Sequence, residues 1–444
     1  MDQNTLLKAK ELIELNDGNI CNRCLGRKFS NIIESSEADG NEEKGKLIRK
    51  ELSLEVNNQE NRGEEEKKGK ETSCETCNNI LLKIDENIEN GKILERIKGK
   101  IDYLNLEFDT FLIGCKISET ILNRDEWLDE VLDIEPENIK KEINREIGKL
   151  IEKEMNKEVN FDNPDIVIMV DLRKILDDSY EENTEKTPQN INVRIQINPI
   201  FIEGRYKKLI RGIPQTKWPC RKCKGKGCDE CNGTGKMYQE SVEELISEII
   251  LNQTRGYEAK FHGAGREDID VRMLGTGRPF VLEIKEPKIR KLNLESIAKE
   301  VNQHSKGKTE YIDLKYTERK RKAEIKVSSP DTFKVYRALV ECYKSITEEQ
   351  LAKVKESLEN TTIDQQTPQR VAHRRADKIR KREVKELSTK LLSKNTFEMT
   401  VKTQGGLYIK ELISSDDNRT KPSVTEILKT KAICKELDVI EVGK

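Results

Sequence analysis

Apolar residues recur along the chain with two spacings, one typical of helices and one typical of strands. Stretches with apolar positions every three or four residues predict amphipathic helices over 3–16, 80–101, 125–157 and 242–251, with a break near Pro136. Shorter stretches that alternate in polarity, or are almost continuously apolar, predict strands over 104–117, 166–172, 193–202 and 280–284. This mixture predicts an α+β fold.

Length and charge limit the possible functions. At 444 residues the chain is long for one hydrophobic core, so about two or three domains are expected. Its 81 basic and 82 acidic residues nearly cancel, which excludes binding to nucleic acid through overall charge alone. No run approaches the ~20 apolar residues of a membrane span, and the N-terminus lacks the apolar core of a signal peptide. We expect a cytoplasmic protein with no membrane contact.

One local cluster of positive charge follows the last strand predicted in the first half of the chain. Two aromatic residues, Tyr206 and Trp218, stand among its cations, and this mixture favours a surface that faces nucleic acid. A solvated face without a partner is the alternative, because runs of charge are most often exposed. The cations are Arg205, Lys207, Lys208, Arg211, Lys217, Arg221, Lys222, Lys224 and Lys226.

Eight of the eleven cysteines fall in Cys-x-x-Cys pairs, a spacing that suits two thiolates on one metal ion better than a secreted disulfide framework. A long charged segment separates the first two pairs, Cys21/Cys24 and Cys74/Cys77. The simplest arrangement is one zinc ion held by all four thiolates, with the charged segment looping out between them. Two unrelated surface pairs are the alternative.

The other two pairs, Cys220/Cys223 and Cys228/Cys231, stand in tandem, and each is followed by x-Gly-x-Gly. These glycines let the backbone turn back so that four sulfur atoms can surround one zinc ion. The repeat resembles half of a DnaJ-type zinc-binding region. A zinc deaminase would also need an upstream metal ligand followed by a catalytic Glu, but all histidines lie downstream. Four thiolates would close the site to substrate water, so the expected zinc is structural.

A stretch rich in glycine and arginine, residues 262–280, is the candidate for chemistry, and Asp268 is its central residue. A dinucleotide-binding fingerprint fails here because its third glycine would fall at Asp268. A plain β-hairpin with turns at the two Gly-x-Gly strings is one open interpretation. The other is a reactive carboxylate close to Arg266 and Arg272, which could hold a phosphate or a carboxylate.

Gly265-Arg-Glu-Asp268 resembles the Gly-Arg-x-Asp motif of pseudouridine synthases, whose aspartate is the nucleophile. Residues 279–287, Pro-Phe-Val-Leu-Glu-Ile-Lys-Glu-Pro, resemble the segment after the nucleophile in the archaeal and eukaryotic tRNA pseudouridine synthase family called Pus Ten. Residues 334–340 and 404–412 resemble further blocks of that family. The resemblance implies an isomerase that converts uridine to pseudouridine in the T loop of tRNA, at position 54, position 55 or both.

The resemblance also implies roles for individual residues. Asp268 would be the nucleophile, Lys410 the cation paired with it, and Arg266 a further catalytic residue. Tyr336 would pack on the target base. A basic segment that begins at Ile363 would contact RNA phosphates, since such contacts position RNA without reading its sequence. The remaining substrate-binding residues implied are Tyr408, Arg374 and Arg375.

By the same resemblance, the fold is a pseudouridine synthase core, a mixed and mainly antiparallel sheet with helices, preceded by an α+β half that holds zinc and a THUMP-like RNA-binding domain. No organic cofactor is needed, tRNA is the partner, and a monomer is expected. A noncatalytic zinc-dependent tRNA-binding or chaperone-like protein is the alternative. The predicted division is 1–80 (helix, cysteine pairs and charged loop), 81–210 (THUMP-like domain), 211–236 (zinc repeat) and 237–444 (catalytic domain).

Overall fold

A computed structural model describes most of the chain, and within it the chain forms two compact units, Met1–Asn198 and Pro199–Lys444. The described residues are 1–33, 40–57, 73–176, 191–327 and 332–443, without the side chains of residues 55–57 and 374. No helix within these ranges combines the length and the apolar composition needed to cross a membrane. Both units mix helices with strands, in agreement with the predicted α+β class.

The first unit consists of helices and a small sheet. Its helices are α1 (Gln3–Glu14), α2 (Asn22–Lys28), α3 (Asn41–Asn57), α4 (Ile80–Glu89), α5 (Lys92–Leu104), α6 (Glu119–Leu132) and α7 (Ile139–Met155). Its strands are β1 (Thr110–Lys116), β2 (Glu158–Val159), β3 (Ile166–Asp171) and β4 (Asn192–Ile197). The strand order is β2-β1-β3-β4, with β1 parallel to β2 and β3, and β4 antiparallel to β3.

The spacing of apolar residues explains how this unit packs. Along α7, Ile139, Ile143 and Ile147 are buried at intervals of one turn, so one face of the helix meets the core. In β3, burial alternates from residue to residue, as in a strand with one face against the core. Pro136 lies between α6 and α7, where the sequence predicted a break in the helix.

The second unit is built on one large sheet. Its helices are α8 (Val242–Thr254), α9 (Leu294–His304), α10 (Arg321–Glu324), α11 (Glu348–Leu358), α12 (Ile409–Ser414) and α13 (Val424–Leu428), with short 3-10 helices at Asp229–Cys231 and Gln369–Arg374. Its strands are β5 (Ile200–Lys208), β6 (Glu258–Gly263), β7 (Val271–Lys285), β8 (Thr309–Thr317), β9 (Phe333–Cys342), β10 (Thr361–Gln366), β11 (Ile379–Ser393), β12 (Thr396–Gln404), β13 (Thr420–Lys421) and β14 (Ala432–Val442).

The strands of this sheet follow the order β13-β10-β11-β12-β9-β14-β7-β5-β8, with β6 paired to β7. β14 and β7 are parallel, and the other ladders within the described ranges are antiparallel. Side chains from the sheet and from α8, α9, α11 and α12 form one core. In that core the rings of Phe261 and Phe280 stack 4.8 Å apart. The mixed, mainly antiparallel sheet confirms the predicted fold class.

Two of the predicted strands need correction. The stretch 193–202 forms two strands, β4 and β5, one in each unit. Pro199 lies between them and has no N–H to continue a ladder. The strand predicted over 104–117 begins only at Thr110, because α5 extends to Leu104.

Candidate active site

The loop of residues 264–270 lies between β6 and β7 and carries Asp268. The two strands form the antiparallel pair that the hairpin interpretation predicted, with Gly263 opposite Phe280. That interpretation is wrong about the second turn, because Gly275 lies inside β7 with a φ of 57°. A Cβ at Gly275 would lie 1.8 Å from the carbonyl oxygen of Ile440, so the close approach of β14 requires glycine here.

A buried network of charged and polar groups supports this loop. Glu267 Oε2 accepts a hydrogen bond of 2.8 Å from the Tyr206 hydroxyl and lies 3.0 Å from Nε of Arg278. The ammonium of Lys208 donates to the backbone carbonyl of Asp268 at 3.1 Å, and to the carbonyl of the next residue at the same distance. Burial lowers the pKa of Lys208 to about 8, against the opposing charge of Glu267. These contacts fix the main chain on both sides of the Asp268 side chain.

The same contacts correct part of the predicted RNA-facing surface. Tyr206 and Lys208 are buried, so neither can present a free surface to RNA. Arg205 donates to the backbone carbonyl of Gly277, and Arg211 forms an ion pair of 2.7 Å with Asp438. A run of positive charge could not reveal this, because the partners of these cations lie far along the chain.

Asp268 is about one-third exposed and lies between two cations. Arg370 Nη1 is 2.8 Å from Asp268 Oδ2, and Lys410 Nζ is 3.7 Å from the same oxygen. Lys410 lies closer to Asp270, whose carboxylate oxygens are 2.7 and 2.8 Å from its ammonium. Burial opposes ionisation of Asp270, but the hydrogen bond from Lys410 outweighs it and lowers the pKa of this carboxyl. The structure thus brings together Asp268 and Lys410, the pair implied by the resemblance, while Arg370 makes the shorter contact with Asp268.

Arg370 is held on its other side by Glu411 and Tyr408. Its Nε lies 2.6 Å from Oε1 of Glu411, a buried carboxylate. The central carbon of its guanidinium lies 5.7 Å from the centre of the Tyr408 ring, within cation–π range. Burial works against the charged form of Arg370, but Glu411, with a contribution from Asp268, outweighs it and raises the pKa of this guanidinium.

Tyr408 is positioned by a buried amide on a neighbouring strand. Gln365, in β10, accepts a hydrogen bond of 2.8 Å from the backbone N–H of Tyr408 and donates one of 3.0 Å to its carbonyl oxygen. Tyr408 directly precedes α12, so Lys410 and Glu411 lie in the first turn of a helix. The block that resembles the family, residues 404–412, therefore runs from the end of β12 into this helix.

Tyr336 lies in β9 with its ring in the core, 9% exposed. Burial raises the pKa of Tyr336 to about 12, while the charge of Arg278 opposes this shift and that of Asp268 adds to it. The ring is therefore within electrostatic reach of the Asp268 carboxylate. The hydroxyl of Tyr408 is also buried, and it has no hydrogen-bond partner within the part of the chain that the structure describes. Tyr408 is linked to Asp268 through Arg370, whose guanidinium lies close to both residues.

Arg266 and Arg375 lie at the margin of this cluster. The guanidinium of Arg266 lies 5.0 Å from the centre of the Trp218 ring, and Trp218 meets Tyr238 edge-on at 5.6 Å. Arg375 is exposed, and its guanidinium lies 5.9 Å from the centre of the Tyr408 ring. The side chain of Arg374, the remaining predicted substrate contact, lies outside the described residues.

The tandem cysteine repeat brings four sulfur atoms together, all within 4.8 Å of one another. Three of the sulfur–sulfur distances are 3.7, 3.8 and 3.9 Å. A zinc ion about 2.3 Å from four tetrahedral thiolates requires separations of ~3.8 Å. The backbone N–H groups of Gly227 and Gly235 donate to the sulfur atoms of Cys223 and Cys231 at 3.2 Å, which stabilises thiolate charge. These residues fit a closed four-thiolate metal site.

The first two cysteine pairs also form a single group, with their four sulfur atoms within 4.8 Å of one another. The Cys21 and Cys77 sulfur atoms are 3.9 Å apart, and the Cys21 N–H donates to the Cys74 sulfur at 3.3 Å. Cys24, Cys74 and Cys77 are buried. This geometry fits one ion held by both pairs, and it does not fit two unrelated surface pairs.

Sequence reasoning missed three residues of the site, namely Arg370, Glu411 and Gln365. Arg370 lies in the basic segment that was assigned to RNA phosphates, where nothing distinguishes it from its neighbours. Glu411 directly follows Lys410, and its burial could not be read from a stretch with so many exposed acids. Only the tertiary structure distinguishes these residues from their neighbours in the sequence. The 3-10 helix Gln369–Arg374, β10 and α12 bring them together from separate parts of the chain.

The arrangement can support nucleophilic chemistry. Asp268 has an accessible carboxylate with the guanidinium of Arg370 on one oxygen, and a carboxylate can act as a nucleophile. The ring of Tyr408 lies 5.7 Å from the same guanidinium and adds an aromatic face beside these charges. A carboxylate, two cations and the ring of Tyr408 therefore meet in one place.

Comparisons with known proteins give matches that cover nearly the whole chain. A family model described as "Pus10, C-terminal" matches residues 201–443, and one described as "Pus10 THUMP domain, archaeal" matches residues 93–171. The tRNA pseudouridine synthase Pus10 of Methanothermobacter marburgensis is 46% identical over 433 residues, which cover 98% of this chain and 97% of that protein. The protein of the same name from Methanocaldococcus jannaschii is 44% identical over 443 residues, covering 95% of this chain and 92% of that protein.

Proposed function

The chain belongs to the Pus10 family of tRNA pseudouridine synthases, and we propose that it isomerises uridine in the T loop of tRNA with Asp268 as the nucleophile. Members of this class are isomerases, and the chain carries the THUMP domain of the family. The observation that supports the assignment of Asp268 is its position, with a carboxylate oxygen 2.8 Å from Arg370 and 3.7 Å from Lys410.

In the proposed reaction, the glycosidic bond between N1 of uracil and C1′ of the ribose breaks, the uracil rotates, and C1′ bonds to C5. The proton on C5 is lost and N1 gains one, so substrate and product are isomers. A carboxylate suits the reaction because it can attack carbon, either C1′ or C6, and later leave. The target base must leave its stack, which costs a few kcal/mol and less in a loop than in a helix.

Individual residues have distinct roles in the proposal. Tyr336 packs against the displaced uracil, and Tyr408 contributes a second substrate contact beside Arg370. Lys410 contributes positive charge near Asp268. Arg266 holds its loop against Trp218. Arg374 and Arg375 contact RNA phosphates next to the target nucleotide.

The proposal extends to the partner and to the metal. The THUMP domain in the first unit binds the body of the tRNA, so that affinity is divided between the two units. Each cluster of four cysteines would hold one structural zinc ion, which would tie loops together without contacting substrate. A monomeric state and a location in the cytoplasm remain predictions.

The test is pseudouridine mapping in tRNA transcripts incubated with the pure protein. We expect product at position 54, position 55 or both, and transcripts with cytidine at either position separate the two sites. Asp268→Asn should bind the transcript with an affinity within about threefold of the parent and yield no product, because an amide is not a nucleophile here. Glu356→Gln, an exposed change from acid to amide on α11, is the matched control and should retain full activity.

Product formed by Asp268→Asn would remove this residue from its proposed role. A parent protein that modifies neither T-loop position would contradict the substrate assignment while leaving the enzyme class intact. The noncatalytic alternative, a zinc-dependent tRNA-binding or chaperone-like protein, is not supported, because the chain belongs to a family of enzymes.

A further inference from the structure

Three elements of the second unit meet at the guanidinium of Arg370. The 3-10 helix Gln369–Arg374 carries it, the loop before β7 brings Asp268, and the first turn of α12 brings Glu411. Arg370 contacts Asp268 through Nη1 at 2.8 Å, and it contacts Glu411 through Nε at 2.6 Å and Nη2 at 3.4 Å. The guanidinium therefore bridges an accessible carboxylate and a buried one.

The two carboxylates differ in what they can do. The side chain of Glu411 is 6% exposed and that of Asp268 is 32% exposed, so a ligand can reach only Asp268. Glu411 engages two nitrogen atoms of the planar guanidinium, which fixes the plane as well as the position of the group. The Tyr408 ring, 5.7 Å away, restricts the same plane from one face. Glu411 and Tyr408 thus determine the direction in which Arg370 presents Nη1.

We infer that Glu411 and Arg370 are positioning residues for the reaction, with Glu411 orienting Arg370 and Arg370 orienting the Asp268 carboxylate. This inference rests on the proposed function, since it assigns roles around the proposed nucleophile. Lys410 cannot supply the same orientation, because both of its short contacts are to Asp270. A rigid planar fork also fixes direction in a way that a flexible ammonium does not.

The arrangement predicts a specific pattern of rates. Arg370→Gln leaves Asp268 without its short ion pair, and a misplaced reacting group costs roughly a hundredfold in rate. We expect the single-turnover rate at saturating enzyme to fall by about that factor, with affinity for the T-arm transcript changed by less than about threefold. Arg370→Lys keeps a positive charge near Asp268 but loses the planar guanidinium. Its rate should therefore be about tenfold higher than that of Arg370→Gln.

A double-mutant cycle tests whether Glu411 acts through Arg370. Glu411→Gln alone should lower the single-turnover rate about tenfold, because an amide holds the guanidinium less firmly. In the Arg370→Gln background, the same change should have no further effect. Lys355→Gln, which removes an exposed ion pair on α11, is the control for loss of a cation and should leave the rate unchanged.

Folding is checked on the same proteins by thermal melting. Arg370→Gln leaves the buried carboxylate of Glu411 unpaired, which can prevent folding. If this variant does not fold, the double variant Arg370→Gln/Glu411→Gln replaces it, because that protein has no unpaired charge at Glu411. A folded variant without Arg370 whose rate lies within threefold of the parent would overturn the inference. So would a loss explained by weaker transcript binding, or a full additional effect of Glu411→Gln when Arg370 is absent. A parent protein without T-loop activity would instead contradict the proposed function.

Discussion

The ammonium of Lys410 lies about 1 Å closer to Asp270 than to Asp268, at 2.7 Å against 3.7 Å. The two acids are separated by one residue in the loop before β7, and Arg370 contacts the first of them at 2.8 Å. Each carboxylate therefore has its own nearest cation. Because Arg370 is the nearer cation to Asp268, we expect its loss to impair the proposed nucleophile more than the loss of Lys410.

We predict that Lys410→Gln lowers the single-turnover rate of pseudouridine formation by about tenfold, equivalent to roughly 1.4 kcal/mol of the activation barrier. The loss is partial because Arg370 still holds Asp268. Asp270→Asn should change the rate by no more than about threefold, since it removes a neighbour of Lys410 and not a contact of Asp268. If Lys410→Gln proved as inactive as Asp268→Asn, Lys410 would be the dominant cation and this ranking would be wrong.

Metal analysis tests the two cysteine clusters separately. We expect the purified chain to contain two zinc ions, one for each cluster. Cys228→Ser should lose the ion of the tandem repeat and Cys24→Ser the ion of the other cluster, because a structural zinc site needs all four ligands. Cys342→Ser is the control, since this buried cysteine belongs to neither cluster. Unchanged metal content in Cys228→Ser would rule out the closed four-thiolate site.

The tandem repeat is linked to the active-site loop through aromatic contacts. Trp218 directly precedes Pro219 and Cys220, and its ring lies 5.0 Å from the guanidinium of Arg266. We predict that Trp218→Ala lowers the single-turnover rate by up to about tenfold, since a cation–π contact contributes roughly 0.5–2 kcal/mol. Zinc content should not change, and Trp218→Phe should restore most of the rate. A rate loss accompanied by loss of zinc would show that Trp218 supports the metal site and not the loop.

The sequence predicted those parts of the molecule that depend on local spacing. The helical period predicted α1, α7 and α8, and a short, almost continuously apolar run predicted β3. Cys-x-x-Cys spacing predicted both groups of sulfur atoms, since two thiolates at that distance already suit one ion. Motif resemblance also implied the pairing of Asp268 with Lys410, whose charged groups lie 3.7 Å apart, while the roles of Asp268, Lys410, Tyr336 and Tyr408 stay predictions.

Contacts between distant segments could not be predicted in this way. Arg370 and Glu411 are 41 positions apart, and each lies in a stretch where charge is common. Lys208 was part of the cluster of cations predicted to face RNA. In the structure it is buried and donates a hydrogen bond to the backbone carbonyl of Asp268, 60 positions away. Charge patterns reveal that a residue is ionisable, but the identity of its partner depends on how strands and loops are arranged in space. The residues that orient Asp268 belong to this second group.

The last prediction concerns stability and its dependence on pH. Asp438, in β14, accepts hydrogen bonds from Arg272 at 2.8 and 2.7 Å and from Arg211 at 2.7 Å. Arg211 also donates to the backbone carbonyl of Asp270 at 2.9 Å, so the carboxylate supports the active-site loop indirectly. Burial raises the pKa of Asp438, but the hydrogen bond from Arg272 and the charges of Arg211 and Arg272 outweigh it, and the pKa falls below the ordinary value of 3.8.

A carboxyl group whose pKa is lower in the folded than in the unfolded chain stabilises the fold above the unfolded pKa, and this stabilisation is lost as the pH falls through the folded pKa. Asp438→Asn should therefore lower the free energy of unfolding near neutral pH by roughly 2 kcal/mol, the scale of a hydrogen bond to a charged group. The difference between parent and variant should shrink progressively once the pH falls below 3.8. Urea unfolding of both proteins across this range measures it, with Asp102→Asn as the exposed control. A difference that stays constant down to the acid limit would show that Asp438 acts by packing, with no contribution from its charge.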